Sequence, residues 1–292
     1  AIDNPVRQSF VVEMVGREDL VNAVSLNSMT FNLARIVGPA LTGIVIAQIG
    51  IAPALFANAI SFVPVIGALL MMNPRALVAH TFTASTGSVL YQVREGLNYT
   101  WRTPSVLTIM IVAGAIGTFG FNFTVIVPLL GGFVLHTDAQ NFGALFSYLG
   151  LGSVVAAAST AYFSRVTPRR LLASAFAFSL AFAALSLSTN LTLSSILVIP
   201  LGFFGIMFAT TNNSLLQLSV PDELRGRVIS LNVLLFAGST PIAGFLIGVL
   251  SSSPIGVTGT LLGCALLCLG GTFIAFLYGR SHETLSKVAF KI

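Results

Sequence analysis

Residues 22–47 read NAVSLNSMTFNLARIVGPALTGIVIA. This stretch is long enough to cross a bilayer, because a spanning helix needs about 20 mostly apolar residues. Its one charged residue is Arg35. In the whole chain 55% of the residues are apolar and 8% are charged, against about 25% charged in a soluble domain. So few charges exclude a water-soluble fold of 292 residues and indicate a membrane protein with several spans.

Seven more segments of spanning length follow residues 22–47. They are residues 51–73, 105–130, 141–163, 170–189, 191–218, 227–250 and 255–279. Residues 1–15 look like the end of a further helix. Between the second and third spans, Val89, Val93, Leu97 and Trp101 recur every four residues. That spacing predicts an amphipathic helix at the membrane interface, with a plain soluble linker as the alternative.

The positive charges fix the predicted orientation. Of the fourteen Lys and Arg residues, all except Arg35 fall in segments that belong on one face of the membrane. The loops 47–51, 188–192 and 250–255 contain no Lys or Arg. Because loops that retain these residues stay cytoplasmic, the 15–21 loop and the carboxy-terminus are predicted to be cytoplasmic. The net charge of +5 reflects this topology and does not indicate nucleic-acid binding.

A weak internal repeat relates the beginning of the chain to its end. At an offset of 205 residues, identical residues occur at Glu18, Ser25, Leu26, Asn27, Phe31, Leu41 and Gly43. Parallel repeats relate the two halves of some transporters. The repeat predicts two bundles of six helices, in which residues 1–15 are the end of helix 4. About 100 residues are then expected to precede the chain.

Three segments carry a resemblance to a known family: Asp3–Gln8, Arg17–Leu20 and Asn32–Gly43. They resemble the helix 4–5 signature of the major facilitator superfamily, in the bacterial branch of transmembrane secretion effectors with macrolide-efflux and enterobactin-exporter-like proteins. Gly38, Pro39 and Gly43 are similar to the Gly-Pro-x-x-Gly-Gly end of the antiporter motif. Physically, Gly38 and Gly43 allow close approach of a neighbouring helix, and Pro39 favours a kink or hinge.

The resemblance implies both an architecture and a function. The architecture is an all-α, major facilitator-type bundle that covers the end of helix 4 through helix 12 of a 6+6 arrangement. The function is proton-coupled efflux of small amphipathic molecules, of drug, macrolide or siderophore type, by alternating access. An importer of the same superfamily and a non-transporting membrane sensor or assembly partner remain as alternatives. The location implied is the bacterial cytoplasmic (inner) membrane, with a monomeric multi-pass protein.

Four regions are expected within this architecture. Residues 1–75 are the remaining part of the amino-terminal six-helix bundle, and residues 76–103 are a cytoplasmic linker with the amphipathic helix. Residues 104–280 are the carboxy-terminal six-helix bundle, and residues 281–292 are a cytoplasmic tail.

Helix 5 carries a polar stripe. Ser28, Asn32, Arg35, Pro39 and Thr42 recur at spacings of four, three, four and three residues. An Arg near the bilayer centre costs at least about 2.5–3.5 kcal/mol on insertion scales, so Arg35 must face a cavity or a partner. It is a candidate for a pathway or coupling residue, or for one half of a buried ion pair, and both roles can hold.

Asp3 is the predicted partner of Arg35. About a loop centred near residue 18, both residues lie roughly 23–25 Å along their helices at 1.5 Å per residue. Arg7 competes for Asp3, because it lies four residues further along the same helix. Asp3 is the only acidic residue of the given sequence at comparable depth, so it is also a candidate for protonation during turnover.

Other candidates are polar side chains elsewhere in the chain. Asn58, Asn122, Asn212, Asn213 and Gln217 are candidates for cavity lining or for hydrogen bonds between helices. The loop 161–170 resembles the Gly-x-x-x-Asp-Arg-x-Gly-Arg-Arg loop of the superfamily, with Ser164 in place of Asp. Its arginines, Arg165, Arg169 and Arg170, are candidates for a cytoplasmic gate or serve orientation only. Phe119, Phe121, Phe123 and the other phenylalanines are candidates for an aromatic drug site or for core and lipid packing.

The sequence offers no support for chemistry other than transport. Cys264 and Cys268 share a helix face, but no further ligand completes a metal set. No phosphate-binding loop of the type used in ATP hydrolysis is present, and no Ser/His/Asp or carboxylate pair indicates catalysis. We therefore expect neither enzyme activity nor a cofactor. The expected partners are a small-molecule substrate, protons and the lipid bilayer, without nucleic acid or ATP.

The charge bias makes the topology testable by cysteine labelling. Single cysteines at positions 49, 190 and 252 are expected to react with an impermeant maleimide in intact cells, because their loops lack Lys and Arg. Cysteines at positions 166 and 223 are expected to react only after permeabilisation. The reverse pattern would overturn the orientation.

Overall fold

A computed structural model describes residues 45, 48–49, 51–71, 89–162, 165–282 and 290–291. Seven helices in these residues are long and apolar enough to cross a membrane: 52–71, 104–134, 139–160, 168–186, 191–219, 224–251 and 256–281. Each overlaps a span predicted from the sequence, and the all-α membrane fold is confirmed. The predicted span 22–47 lies almost wholly outside the described residues.

The helices are numbered in chain order. They are α1 Ile51–Met71, α2 Val89–Arg102, α3 Pro104–Ala115, α4 Phe123–Leu129, α5 Ala139–Tyr162, α6 Pro168–Ser186, α7 Leu191–Ser219, α8 Asp222–Val233, α9 Thr240–Ser251 and α10 Gly256–Ser281. Five-residue π-helical segments follow three of them, at Ile116–Gly120, Leu130–Val134 and Leu234–Gly238. Two strands, β1 Arg165–Val166 and β2 Phe290–Lys291, pair antiparallel.

Local sequence explains where several helices begin. The side chain of Asn190 accepts from the backbone N–H groups of Thr192 at 2.8 Å and Leu193 at 3.3 Å, which caps α7. Thr167 caps α6 in the same way, and Pro168 follows it at a position where a missing N–H costs nothing. At the start of α10, Gly256 has φ +69, a left-handed conformation that favours glycine.

The core of the bundle lies where α5, α6, α7 and α10 meet α3. Its largest fully buried side chains include Phe178 and Phe182 of α6 and Phe208 of α7. Two glycines let α5 and α7 cross backbone to backbone: a Cβ on Gly152 would overlap the carbonyl oxygen of Ile199, and one on Gly202 would overlap that of Leu149. Small residues at such crossings are the rule in membranes, because packing rather than the hydrophobic effect holds the helices together.

The predicted amphipathic helix is present as α2, and it packs against α8. Glu95 of α2 forms an ion pair with Arg227 of α8. Beside it, Gly96 leaves room for Leu231, which would lie 3.2 Å from a Cβ at that position. The hydroxyl of Tyr99 donates to the carbonyl oxygen of Ser219 at 3.5 Å. The linker thus contacts the end of the bundle at which α7 ends and α8 begins.

The glycine crossing predicts how stability responds to one added methyl group. Gly152→Ala and Gly202→Ala are each expected to lower the melting temperature in detergent, because overpacking against backbone costs about 1–3 kcal/mol. Gly263→Ala is the matched control, since a Cβ there meets no atom within 4 Å. Scanning fluorimetry of the purified variants measures the effect. Equal melting temperatures for all three variants would contradict the assigned crossing.

Candidate functional site

The spanning segment 104–134 is interrupted near its middle. The N–H of Phe121 donates to the carbonyl oxygen of Ile116 at 3.1 Å, which closes the π-helical segment. Asn122 then leaves the helical path with φ −83 and ψ 44, and α4 begins at Phe123. The sequence predicted one helix over 105–130 and gave no sign of this break, because no proline lies there. Single π-helical turns within helices occur frequently at functional sites.

Asn122 forms hydrogen bonds to both sides of the interruption, through its side chain and its backbone. Its side-chain nitrogen donates to the carbonyl oxygen of Thr118 at 2.6 Å. Its own backbone carbonyl accepts from the N–H groups of Val125 at 2.9 Å and Ile126 at 2.8 Å. The residue is 0% exposed, yet its Oδ1 atom has no hydrogen-bond partner among the described residues. That atom lies 3.9 Å from the Cβ position of Gly244 on α9, so an acceptor stands in the gap between two helices.

Phenylalanine rings surround the break. The ring centroid of Phe121 lies 5.3 Å from that of Phe236, 5.8 Å from that of Phe178 and 6.4 Å from that of Phe208. Phe236 belongs to the π-helical segment after α8 and packs over Gly117, where a Cβ would lie 3.1 Å from its ring. Phe178 and Phe208 are fully buried, whereas Phe121 and Phe236 are half-buried. The last two therefore present part of their rings outside the core.

The four rings lie near the middle of the spanning segments that carry them. Phe121, Phe178, Phe208 and Phe236 are each about 10–17 residues from the helix end at which Arg residues cluster, which corresponds to roughly 15–25 Å. The hydrocarbon core is about 30 Å thick. Substrate sites of transporters lie near the bilayer midplane, so the rings and Asn122 are candidates for such a site.

Two further amides lie on the same side of the bundle. The side-chain nitrogen of Asn212 on α7 donates to Oδ1 of Asn232 on α8 at 3.0 Å, and both residues are buried. Oδ1 of Asn212 has no partner among the residues that the structure describes. Asn232 precedes Phe236 by one helical turn, so this second acceptor lies just beyond the aromatic cluster.

The structure brings together two of the five candidate amides, Asn122 and Asn212, with the aromatic cluster. The other three are exposed. Asn213 and Gln217 lie on the outside of α7, where the carbonyl oxygen of Gln217 accepts from Nε of Arg225 at 3.0 Å. Asn58 is exposed on α1.

The three candidate gate arginines have different surroundings. Arg170 directs Nη2 toward Oγ1 of Thr160 on α5 at 3.5 Å. The backbone of Arg165 pairs with Lys291, so the carboxy-terminal tail meets the loop between α5 and α6. Arg169 is exposed and lines a groove between α6 and α10.

The candidates on helices 4 and 5 lie outside the described residues. They are Asp3, Arg7, Ser28, Asn32, Arg35, Gly38, Pro39 and Gly43. The roles predicted for them stay predictions.

Sequence reasoning missed Asn232 and Phe236 as site residues, whereas Phe121 was among the phenylalanines named as candidates for a drug site. One signal pointed to the first two. Asn27 and Phe31 meet Asn232 and Phe236 at the offset of 205 residues. Identical residues one turn apart in both halves are what a site between two related bundles would use.

The described residues contain no group of three or more His, Cys, Asp or Glu side chains that could hold a metal ion. Cys264 and Cys268 are buried in α10 as free thiols. Sγ of Cys268 lies 3.7 Å from the carbonyl oxygen of Ala115, and it would lie 3.4 Å from a Cβ added at Gly120.

Comparison with known proteins agrees with this architecture. A profile of the transmembrane secretion effector family matches residues 1–287. The multidrug efflux pump Tap of Mycolicibacterium fortuitum is 28% identical over 277 residues, which cover 93% of this chain and 67% of that protein. The staphyloferrin A transporter of Staphylococcus aureus is 24% identical over 279 residues, which cover 94% of this chain and 68% of that protein.

A solved structure shares the fold. It is a bacterial homologue of the human lysosomal transporter Spinster, crystallised in an inward-facing, unoccupied conformation. The TM-score is 0.63 at 12% identity, and the match covers 96% of this chain and 75% of that one.

Proposed function

The chain belongs to the transmembrane secretion effector family of the major facilitator superfamily, and from that membership we propose that it is a proton-coupled exporter of small amphipathic molecules. Members of this family are transporters and not enzymes. The proposed substrates are of drug, macrolide or siderophore type. The proposed mechanism is alternating access, in which two bundles rock around a site at the membrane midplane.

One observation carries the proposal on substrate class. The half-buried rings of Phe121 and Phe236 stand next to the unpartnered acceptor of Asn122, at the break of a spanning helix. Flat apolar surfaces with few polar groups suit ligands that are mostly apolar with one or two donors. The Oδ1 atoms of Asn122 and Asn212 are buried and have no partner among the described residues. We propose that each accepts a hydrogen bond from a donor group of the ligand that enters between the helices.

Export is the proposed direction because of the relatives. One similar protein is named a multidrug efflux pump and another a staphyloferrin A transporter. These names support both an amphipathic drug and a siderophore-type molecule as cargo. The proposed location is the bacterial inner membrane, with the carboxy-terminus in the cytoplasm, because the Arg-bearing loops lie at one end of the bundle.

The proposed proton carrier is Asp3. None of the seven described spans contains an Asp or Glu residue. A proton relay within the membrane requires an ionisable side chain. The predicted Asp3–Arg35 pair supplies one at comparable depth, with Arg35 released when Asp3 takes up a proton.

Transport by everted membrane vesicles tests the substrate site. Phe236→Ala is expected to raise the half-saturating concentration of a lipophilic dye roughly three- to tenfold, since an aromatic contact contributes about 0.5–1.5 kcal/mol beyond its buried area. Phe245→Ala is the matched control, because Phe245 lies on α9 of the same span and is 71% exposed. Equal half-saturating concentrations in the two variants would overturn the site.

The same vesicles test coupling and direction. Dye uptake into everted vesicles is expected to stop when an uncoupler is added, and Asp3→Asn is expected to abolish the uncoupler-sensitive part. Uptake that survives the uncoupler would contradict proton coupling. Accumulation in right-side-out vesicles instead would favour the importer, and no uptake of any dye or siderophore in either would favour the sensor.

A further inference from the structure

A groove of about 980 Å³ runs along the outer face of the bundle between α6 and α10. Phe176 of α6 and Phe273 and Phe276 of α10 form its walls and are 52%, 60% and 40% exposed. Gly270 lies in the groove, and a Cβ added there would meet no atom within 4 Å. The groove is thus open, apolar and separate from the Phe121 cluster.

One end of the groove is positively charged. Arg169 lies in the first turn of α6 and Arg280 in the last turn of α10, and both line the groove. Both are exposed, and neither guanidinium group forms an ion pair or hydrogen bond with another described residue. No acidic residue lines the groove. Two guanidinium groups at one end of an apolar groove suit a molecule with an anionic head group and an apolar chain.

The length of the groove corresponds to the thickness of one leaflet of the bilayer. The groove follows α10 from Leu269 to Arg280, which corresponds to about 16 Å at 1.5 Å per residue. Half of the hydrocarbon core is about 15 Å thick. A chain that begins at the arginines would therefore end near the midplane. Under the proposed orientation the arginines face the cytoplasmic leaflet, which carries anionic lipids.

We propose that this groove is a binding site for an anionic phospholipid of the cytoplasmic leaflet. Arg169 and Arg280 bind its phosphate, and an acyl chain lies between Phe176 and Phe273 across Gly270. The site is separate from the proposed transport pathway, and only its assignment to the cytoplasmic leaflet rests on the proposed orientation. The two arginines then anchor α6 and α10 to the lipid rather than close a gate.

Native mass spectrometry of the purified protein tests the site. Phosphatidylglycerol and phosphatidylcholine with the same acyl chains are titrated, and bound lipids are counted. The wild type is expected to prefer phosphatidylglycerol. Each arginine near an anionic lipid contributes about fivefold, so the Arg169→Gln/Arg280→Gln double variant is expected to lose most of that preference. Arg102→Gln is the control for charge, since Arg102 ends α2 outside the groove.

A second variant tests binding of the lipid's acyl chain rather than of its head group. Gly270→Leu fills the groove and is expected to weaken binding of both lipids about tenfold. Gly263→Leu is its matched control, because it lies two turns earlier on α10 in open space and does not line the groove. Glycerol phosphate, the head without chains, is expected not to displace the lipid. Unchanged binding by both test variants, displacement by glycerol phosphate, or a second protein copy cross-linked through position 273 would overturn the proposal.

Discussion

Inside a bilayer every backbone amide and carbonyl must find its hydrogen bond within the protein, because no water is present to supply one. This constraint accounts for the uninterrupted helices of the bundle. The same constraint applies to side-chain hydroxyl groups, which donate to the backbone carbonyl oxygen four residues earlier. Examples are Ser153 to Leu149 at 2.9 Å, Ser179 to Ala175 at 2.8 Å and Thr272 to Cys268 at 2.8 Å. A break in a helix is costly under this constraint, and each one needs a local cause.

The break at Phe121–Asn122 meets the constraint with its own side chain. The side-chain nitrogen of Asn122 donates to the carbonyl oxygen of Thr118, and its side-chain oxygen has no partner in the part of the chain that the structure describes. The same residue thus bonds the interrupted backbone and places a buried polar atom near the middle of the spanning segment 104–134. The π-helical segment of α8–α9 brings Phe236 against this break. An apolar surface with an isolated hydrogen-bond acceptor is the physical basis of the proposed preference for amphipathic cargo. Membership of the family indicates that the protein carrying this surface is a transporter.

Much of the fold could be predicted from the sequence, because hydropathy and charge act over long segments. The spans 191–218 and 255–279 agree with α7 and α10 to within two residues. The site was harder to predict. Phenylalanine is common throughout the chain, so only three-dimensional contact separates Phe121 and Phe236 from rings that face lipid. The break has no proline to mark it, whereas Pro200 lies within α7 without ending it. Asn232 and Phe236 were detectable in principle from the repeat.

Photoaffinity labelling tests most directly whether the helix break contacts substrate. A photoreactive analogue of a transported dye would be activated in energised vesicles, and the labelled peptides would be identified by mass spectrometry. We expect attachment within Phe121–Phe123 and Leu234–Gly238, reduced by excess unlabelled dye. Attachment instead to Phe176 or Phe273 in the groove between α6 and α10, competed by the same dye, would contradict the account.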